Sequence, residues 1–335
     1  MKPAKTHDKL KGLPAKVFDV EGKTVWIAGA SGMVGSATAR RLKSEYCTIL
    51  TPGRSKLDLL NQKAVSDWVS TNQPDVVVVA AATVGGILAN STRPAEFIYN
   101  NLMIESNIIH AAYVNHVKKL LFLGSACIYP KKASQPMNED ALLTGALEPT
   151  NESYAIAKIA GIKMCEAYRK QYGCDYISAQ PNNLYGPGDN FDLESSHVIP
   201  ALMHRAHLAK VNQDSSLTVW GTGTVKREFL HVDDCADALI HLIKYYSGIS
   251  HINIGTGEEI SIKELAQKIS TIVGFTGKLN FDTNMPDGSP RKLLNNEKMR
   301  ALNWNSTIAL EDGLSSSYHW FQKNLQNKIH LVPNN

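Results

Sequence analysis

Apolar runs of four to eight residues alternate along this chain with longer stretches of helical spacing. Thr24-Val25-Trp26-Ile27-Ala28 reads as a first strand, and Gly29-Ala30-Ser31-Gly32-Met33-Val34-Gly35 leads from it into a helical pattern that runs through Ser44. Cys47-Thr48-Ile49-Leu50 is a second strand, and Asn61 to Asn72 has helical spacing. Asp75 to Ala82 holds a continuous apolar run, as expected of a parallel strand covered on both faces. Pro94 to His116 is a long helix carrying Phe97, Leu102, Ile104, Ile108 and Ile109. Its apolar positions exceed one narrow stripe, so part of it is expected to face another subunit. Leu120 to Leu123 is a fourth strand, Glu152 to Tyr172 a helix, and Asp175 to Pro181 a fifth strand. This alternation predicts an α/β fold, a Rossmann-type doubly wound parallel sheet.

The pattern changes at Asn182-Asn183-Leu184-Tyr185-Gly186-Pro187-Gly188-Asp189, where Gly, Pro and Asn interrupt the alternation. This marks the entrance to a smaller, discontinuous substrate-binding part. The expected organisation is an arm over 1–23, a dinucleotide-binding domain over 24–184 to which 225–255 returns, and a substrate domain built from 185–224 and 256–335. Leu217 to Trp220 and Glu228 to Val232 read as short strands around a Gly-rich turn. Asp233-Asp234 is expected to cap a helix through Tyr245, His251 to Gly255 is another strand, Ile262 to Val273 a helix, and Asp287 to Lys292 a basic loop. No repeat or low-complexity segment is present.

Strand, glycine turn and helix in succession give the glycine motif its meaning. Glycines let backbone approach a pyrophosphate, and the helix N-terminus offers N–H groups and partial positive charge. The candidate contacts are Gly29, Ser31, Gly32, Met33, Val34 and Gly35. Sites that prefer NAD place an acid at the end of the second strand for the ribose 2′-OH. Here that end is Thr51-Pro52-Gly53-Arg54, with a guanidinium suited to a 2′-phosphate, so NADP (NADPH) is favoured. Asp58 is a candidate adenine contact. Ala81, Pro181, Asn183 and Leu184, at or just beyond the carboxyl ends of their strands, together with Tyr154 and Lys158, complete the expected cofactor set.

Composition narrows the remaining classes. Net charge is +4 with no basic patch, which gives no case for nucleic acid. The longest apolar run, Val76 to Ala82, is too short to span a bilayer, and Met1 to Lys23 lacks the apolar stretch of a signal peptide. Five scattered cysteines with no C-x-x-C pair suggest reduced thiols and a cytoplasmic location. No metal site is suggested.

The chemistry centres on Gly124-Ser125-Ala126-Cys127-Ile128-Tyr129-Pro130 and Ser153-Tyr154-Ala155-Ile156-Ala157-Lys158. Residues i and i+4 of a helix share a face, so Lys158 is expected beside the base of Tyr154, lowering the phenol's pKa toward the working range. Ser125 would hold the same substrate oxygen. If the strand continues to Cys127, its side chain faces the same way as Ser125; by spacing alone it serves equally as a small buried apolar residue. His197 alone reads as a polar contact. Together, Cys127 and His197 suggest proton removal on one face of a sugar ring and return on the other, next to a ketone. Arg205, Trp220, Arg227 and Lys292 lie in the proposed substrate part, and their cations suit a diphosphate.

These residues make the chain resemble the extended short-chain dehydrogenase/reductase family, from about Thr24 to about Trp320. The resemblance rests on the glycine turn, Phe97-Ile98-Tyr99, Asn107 to Ala112, Leu121 to Pro130, Tyr154 to Gly161, Asn183 to Pro187, His197 to Pro200, Arg227 to Asp234 and Pro290 to Leu294. It implies GDP-4-keto-6-deoxy-D-mannose as substrate. Cys127 and His197 would serve as base and acid inverting C3 and C5, after which Ser125, Tyr154 and Lys158 would support hydride transfer from NADPH to C4. Asn183, His197, Arg205, Trp220, Arg227 and Lys292 would contact the substrate. It also implies a homodimer paired through helices around Ile104 and Ile159. Some relatives carry a basic residue where this chain has Ser31, which would leave the 2′-phosphate more dependent on Arg54. Two alternatives stay open, a sibling nucleotide-sugar dehydratase, epimerase or reductase, and a non-catalytic dinucleotide sensor. Dehydratases place an acid where Ala126 and Cys127 stand; sensors often lose the Tyr or Lys that are both present here.

Overall fold

The apolar runs pair into one six-stranded parallel sheet. The computed structural model describes residues 13–329 other than 194, 286 and 290. The first half runs β1 (Thr24–Ala28), α1 (Met33–Leu42), β2 (Thr48–Leu50), α2 (Gln62–Asn72), β3 (Val76–Val79), α3 (Ile87–Thr92), α4 (Pro94–Val114), β4 (Lys119–Leu123), α5 (Glu152–Tyr172) and β5 (Asp175–Pro181). The second half continues with β6 (Asn183–Tyr185), α6 (Val198–Val211), β7 (Ser216–Trp220), β8 (Lys226–Arg227), β9 (Phe229–His231), α7 (Val232–Tyr245) and β10 (Ile252–Ile254). It closes with β11 (Ile260–Ser261), α8 (Ile262–Val273), β12 (Lys278–Asp282), β13 (Arg291–Lys292), α9 (Glu297–Ala301) and α10 (Leu310–Ile329). The sheet order is β10-β5-β4-β3-β1-β2, so the order reverses between β1 and β3, where open α/β sheets bind ligands.

Period-two alternation assigns the strand residues to two cores. Trp26, Val77, Val79, Leu120 and Phe122 pack with Ile104, Ile108 and Ile162 under α4 and α5. Val25, Ile27, Val76, Val78 and Leu121 pack with Leu239, Leu242 and Ile243 of α7. A third core joins Met203 of α6, Val219 of β7, Ile269 of α8 and Leu314 and Phe321 of α10. A Ser261 side chain bonding the Glu264 amide, answered by the Glu264 carboxylate, starts α8 as a capping box.

Several expectations are corrected. The third strand ends at Val79, because the Asn101 side chain both accepts from Thr83 N and donates to Thr83 O and so captures the chain as it leaves the sheet. The fourth strand stops at Leu123, and Ala126–Ile128 forms a 3-10 turn, so strand alternation does not place Cys127 beside Ser125. The cap of α7 is His231, whose ring accepts from Asp233 N; the two aspartates occupy the first turn. β7 and β9 are not partners: β7 pairs with β12 and β9 with β6, both in parallel. Part of the expected loose arm is packed, with Val17 and Phe18 amides on Lys244 O and Val20 fully buried; residues 1–12 lie outside the described residues. Ile104 and Ile159 are buried in the chain's own core, so they cannot form the face offered to a second subunit. Among the described residues, no helix is long and apolar enough to cross a membrane.

Candidate active site

The turn after β1 is built for a close ligand. Gly29 has φ +88°, and a Cβ there would meet Ala81 Cα at 2.7 Å. A Cβ on Gly35 would lie 2.2 Å from Gly29 O, so only glycine lets α1 start tightly against the turn. Gly32 begins α1 with no side-chain cap and no acid in the first turn, leaving the helix N–H groups for an anion. The turn opens on a groove of about 780 Å³. Gly29, Ser31, Gly32, Met33, Val34, Arg54, Asp58, Ala81, Tyr154, Lys158, Pro181, Asn183 and Leu184 all line it. Gly35 does not; its part is to let the turn close. Arg54 is exposed at the rim, while the Asp58 carboxylate accepts from Leu60 N at 3.1 Å. A groove of this volume, lined by the bare amides of a helix N-terminus and by the exposed Arg54, fits a phosphorylated dinucleotide.

A second cavity of about 350 Å³ shares Ser125, Tyr154, Asn183, Leu184, His197 and Lys292 with the first. Cys127, Arg205, Trp220 and Arg227 line it as well. The structure therefore brings the expected catalytic and substrate residues around two communicating spaces, with Lys158 reaching only the first. Ser125 and Cys127 meet through the 3-10 turn, where Ser125 Oγ accepts from Cys127 N at 3.4 Å. Asn183 Nδ2 donates to Glu228 O at 2.9 Å and to Asn182 Oδ1 at 3.1 Å. The Arg205 guanidinium lies 4.5 Å from the centre of the Trp220 ring, a flat cationic platform. Arg227 donates to Asp287 O at 3.2 Å, tying the strand to the loop before β13.

The electrostatics depart from the sequence expectation. Lys158 is 2% exposed, and its Nζ donates to Leu123 O at 3.0 Å. It sits 4.6 Å from the Phe122 ring centre and 5.9 Å from that of Tyr154. Burial pushes Tyr154 well above its usual range, with Cys127 and Glu105 adding to the effect, so Lys158 does not prevail over desolvation. Burial raises the Cys127 thiol, opposed by Lys292, Ser125 and Lys158. Burial and then Lys292 hold His197 below its usual value, so it is a neutral imidazole near pH 7. His197 is water-accessible by surface area yet enclosed by the cavity walls; the enclosure governs its protonation. Lys292 thus favours both a thiolate at Cys127 and a neutral ring at His197.

Residues missed by sequence reading support the site from behind. Asn101 holds the loop after β3. Glu228, fully buried, accepts from Asn182 Nδ2, Gly257 N at 2.7 Å and Leu294 N at 3.0 Å. It thereby fixes the segments that carry Asn183 and Lys292. The signal for such residues is polarity inside an apolar run, as in Glu228-Phe229-Leu230.

Residues 25–255 match the model of the NAD dependent epimerase/dehydratase family. A GDP-L-fucose synthase of Sinorhizobium fredii is 56% identical over 92% of this chain and 98% of its own length. The GDP-L-fucose synthase of Escherichia coli is 54% identical over 90% of this chain and 97% of its own. A crystal structure of a GDP-L-fucose synthetase from Naegleria fowleri bound to NADP superposes with a TM-score of 0.85 at 28% identity, covering 94% of this chain and 98% of that one. The chain belongs to the NAD dependent epimerase/dehydratase family and, within it, to the group of the GDP-L-fucose synthases.

Proposed function

We propose that this chain converts GDP-4-keto-6-deoxy-D-mannose to GDP-L-fucose, as a 3,5-epimerase and an NADPH-dependent 4-reductase. The observation that carries the reading is the meeting of two spaces at Ser125, Tyr154 and Lys292, one walled by a glycine turn and the other by a thiol, an imidazole and arginines. Bound in the first groove, NADPH supplies the hydride. In the second cavity Arg205, Trp220 and Arg227 hold the GDP end by charge and stacking. Ser125 and Tyr154 donate hydrogen bonds to the ketone oxygen at C4, which acidifies the neighbouring C–H bonds.

In the first stage a base drawn from Cys127 and His197 removes the proton at C3 or C5, and the electron pair moves onto that oxygen. The partner group returns a proton to the opposite face. In the second stage Tyr154 gives its proton to the C4 oxygen as hydride arrives, and Lys158 stabilises the resulting phenolate. We assign Cys127 the base role from its place on the wall of the second cavity, where Lys292 and Ser125 work against the larger effect of burial on its thiol. The two lobes divide this work, 24–184 with 225–255 for the cofactor and the remainder for the sugar nucleotide. A homodimer through the outer faces of α4 and α5 is part of the reading, supported by exposed Tyr99 and Ile156. A cytoplasmic location is supported by five unpaired cysteines.

The test is to mix the chain with GDP-4-keto-6-deoxy-D-mannose and NADPH in deuterium oxide. Loss of NADPH with deuterium at C3 and C5 of a GDP-L-fucose product is expected. Reduction without deuterium would leave a simple 4-reductase, and no reaction would overturn the reading.

A further inference from the structure

Asn90 of α3 and Asn151, the residue before α5, both line the second cavity. Asn90 is 8% exposed, and its Nδ2 donates to Gly85 O at 2.7 Å and to Gly86 O at 3.0 Å. These two bonds fix which way the amide points, so Oδ1 faces away from the glycine turn. Asn151 stands at the cap position of α5, where an Asn side chain ordinarily accepts from a helix amide. Its backbone is not extended there, at φ -129° and ψ 16°, and its side chain caps nothing. Both Oδ1 atoms are buried, and among the described residues neither has a hydrogen-bond partner. α3 packs on the 3-10 turn Pro149–Asn151, so the two amides belong to one corner of the cavity.

A buried amide oxygen without a donor is costly, so two at one corner of a cavity mark a place where a ligand brings the protons. Three other acceptors on this wall are already engaged, Glu148 with Lys131 at 2.9 Å, Gln135 with Leu293 N at 2.9 Å, and Asp287 with Thr222. The donors that a sugar offers to an amide oxygen are its hydroxyls. In the reading above the sugar has hydroxyls at C2 and C3 alone, since C1 carries the diphosphate, C4 is the ketone, and C5 carries the methyl group and the ring oxygen. Side chains on a helix lean toward its N-terminus, so Tyr154, three residues on, leans over the turn that Asn151 begins. A ketone oxygen held at Tyr154 therefore brings the C3 hydroxyl, the one beside it, toward Asn151.

We propose that Asn151 and Asn90 are specificity-determining residues, whose amide oxygens accept hydrogen bonds from the C3 and the C2 hydroxyl of the sugar, respectively. This deepens the reading above and rests on it for the substrate. Asn151 takes the hydroxyl beside the ketone, and Asn90, held by the glycine turn, takes the other. A sugar that lacks either hydroxyl leaves a buried oxygen unpaired, and the site rejects it for that reason. The nucleotide end gains nothing from either residue.

The test compares kcat/KM for NADPH consumption on GDP-4-keto-6-deoxy-D-mannose and on its 3-deoxy and 2-deoxy analogues. In Asn151→Leu the preference for the parent over the 3-deoxy analogue should fall by about tenfold or more, while the preference over the 2-deoxy analogue holds. In Asn90→Leu the preference over the 2-deoxy analogue should be the one that falls. Unmoved ratios overturn the proposal, since a general weakening of the fold lowers all three rates alike. Asn90→Leu also loses the bonds to Gly85 and Gly86; should it not fold, Asn151→Leu and Asn151→Ala decide the matter. Binding gives the comparison without catalysis. GDP-D-mannose, which carries both hydroxyls, should lose about tenfold in affinity relative to GDP in Asn151→Leu. Equal losses for the two overturn the proposal. Because the binding arm needs no turnover, a failure of the proposed reaction in the unaltered chain is seen separately.

Discussion

His251 is a neutral imidazole in a dry core, and this couples stability to pH. Tyr129 donates its hydroxyl proton to Asn253 Oδ1, so His251 Nε2–H donates to the phenol oxygen at 3.1 Å. Burial, then Lys298 and Lys163, push its pKa down to about 4. The unfolded imidazole titrates near ~6.5, so between these values the unfolded chain binds a proton that the folded chain refuses. Stability therefore falls as pH drops from about 6.5 to about 4, by up to about 3 kcal/mol. Urea unfolding at pH 7 and pH 5 should show the unaltered chain losing about 2 kcal/mol more than His251→Gln. Equal losses would assign the proton to another group. At the same scale, Cys127→Ser should slow deuterium entry at C3 and C5 by about a hundredfold or more while cofactor binding persists. Normal exchange in that variant would remove the role given to the thiol. Tyr154→Phe should cut NADPH consumption by about a hundredfold or more, and unchanged turnover would count against its role as proton donor.

Elements succeed or fail as predictions according to whether local or distant contacts decide them. β1, α5, β5 and α8 match the sequence reading to the residue, because apolar period and caps define both ends. The stretch from Gly124 to Ile128 does not. Its glycine fits because a Cβ there would meet the Gln180 side chain, a contact about fifty-five residues away that no local pattern carries. Ser125 and Cys127 still reach one cavity, but through a turn rather than a pleat. The Tyr154–Lys158 spacing was legible from helix geometry; the balance of burial over charge at Tyr154 was not, since it depends on what covers the helix. Gly161 shows the same limit. A methyl group there would come within 2.3 Å of the Phe122 ring, which is fully buried. Helix propensity favours Gly161→Ala by about 1 kcal/mol, but overpacking costs about 1–3 kcal/mol. We expect a net loss, read as a lower urea midpoint with an unchanged slope. A gain in stability would mean that the ring can move aside.

For the whole molecule, the two parts share structure more deeply than a boundary suggests. β10 completes the sheet at the β5 edge, and α7 covers the face on which α1 lies. Arg41 of α1 bonds Asp237 of α7 at 2.6 Å, and Lys119 of β4, with its side chain fully buried, donates to Tyr246 O at 2.7 Å. Glu228 then ties this sheet to the strand that carries Lys292. The alternation of strands and helices predicted the sheet and the return of the later segment. It could not give the pairing of β7 with β12, because short strands of similar composition have many possible partners.

The lateness of β10 reaches into how the chain is made. A ribosome delivers β5 roughly seventy residues before β10, a wait on the order of ten seconds at ordinary elongation rates. Throughout it, β5 presents an open hydrogen-bonding edge and the α7 side of the sheet lies bare, the condition in which strands recruit foreign partners. The sheet's last edge is therefore closed only once Ile254 has emerged.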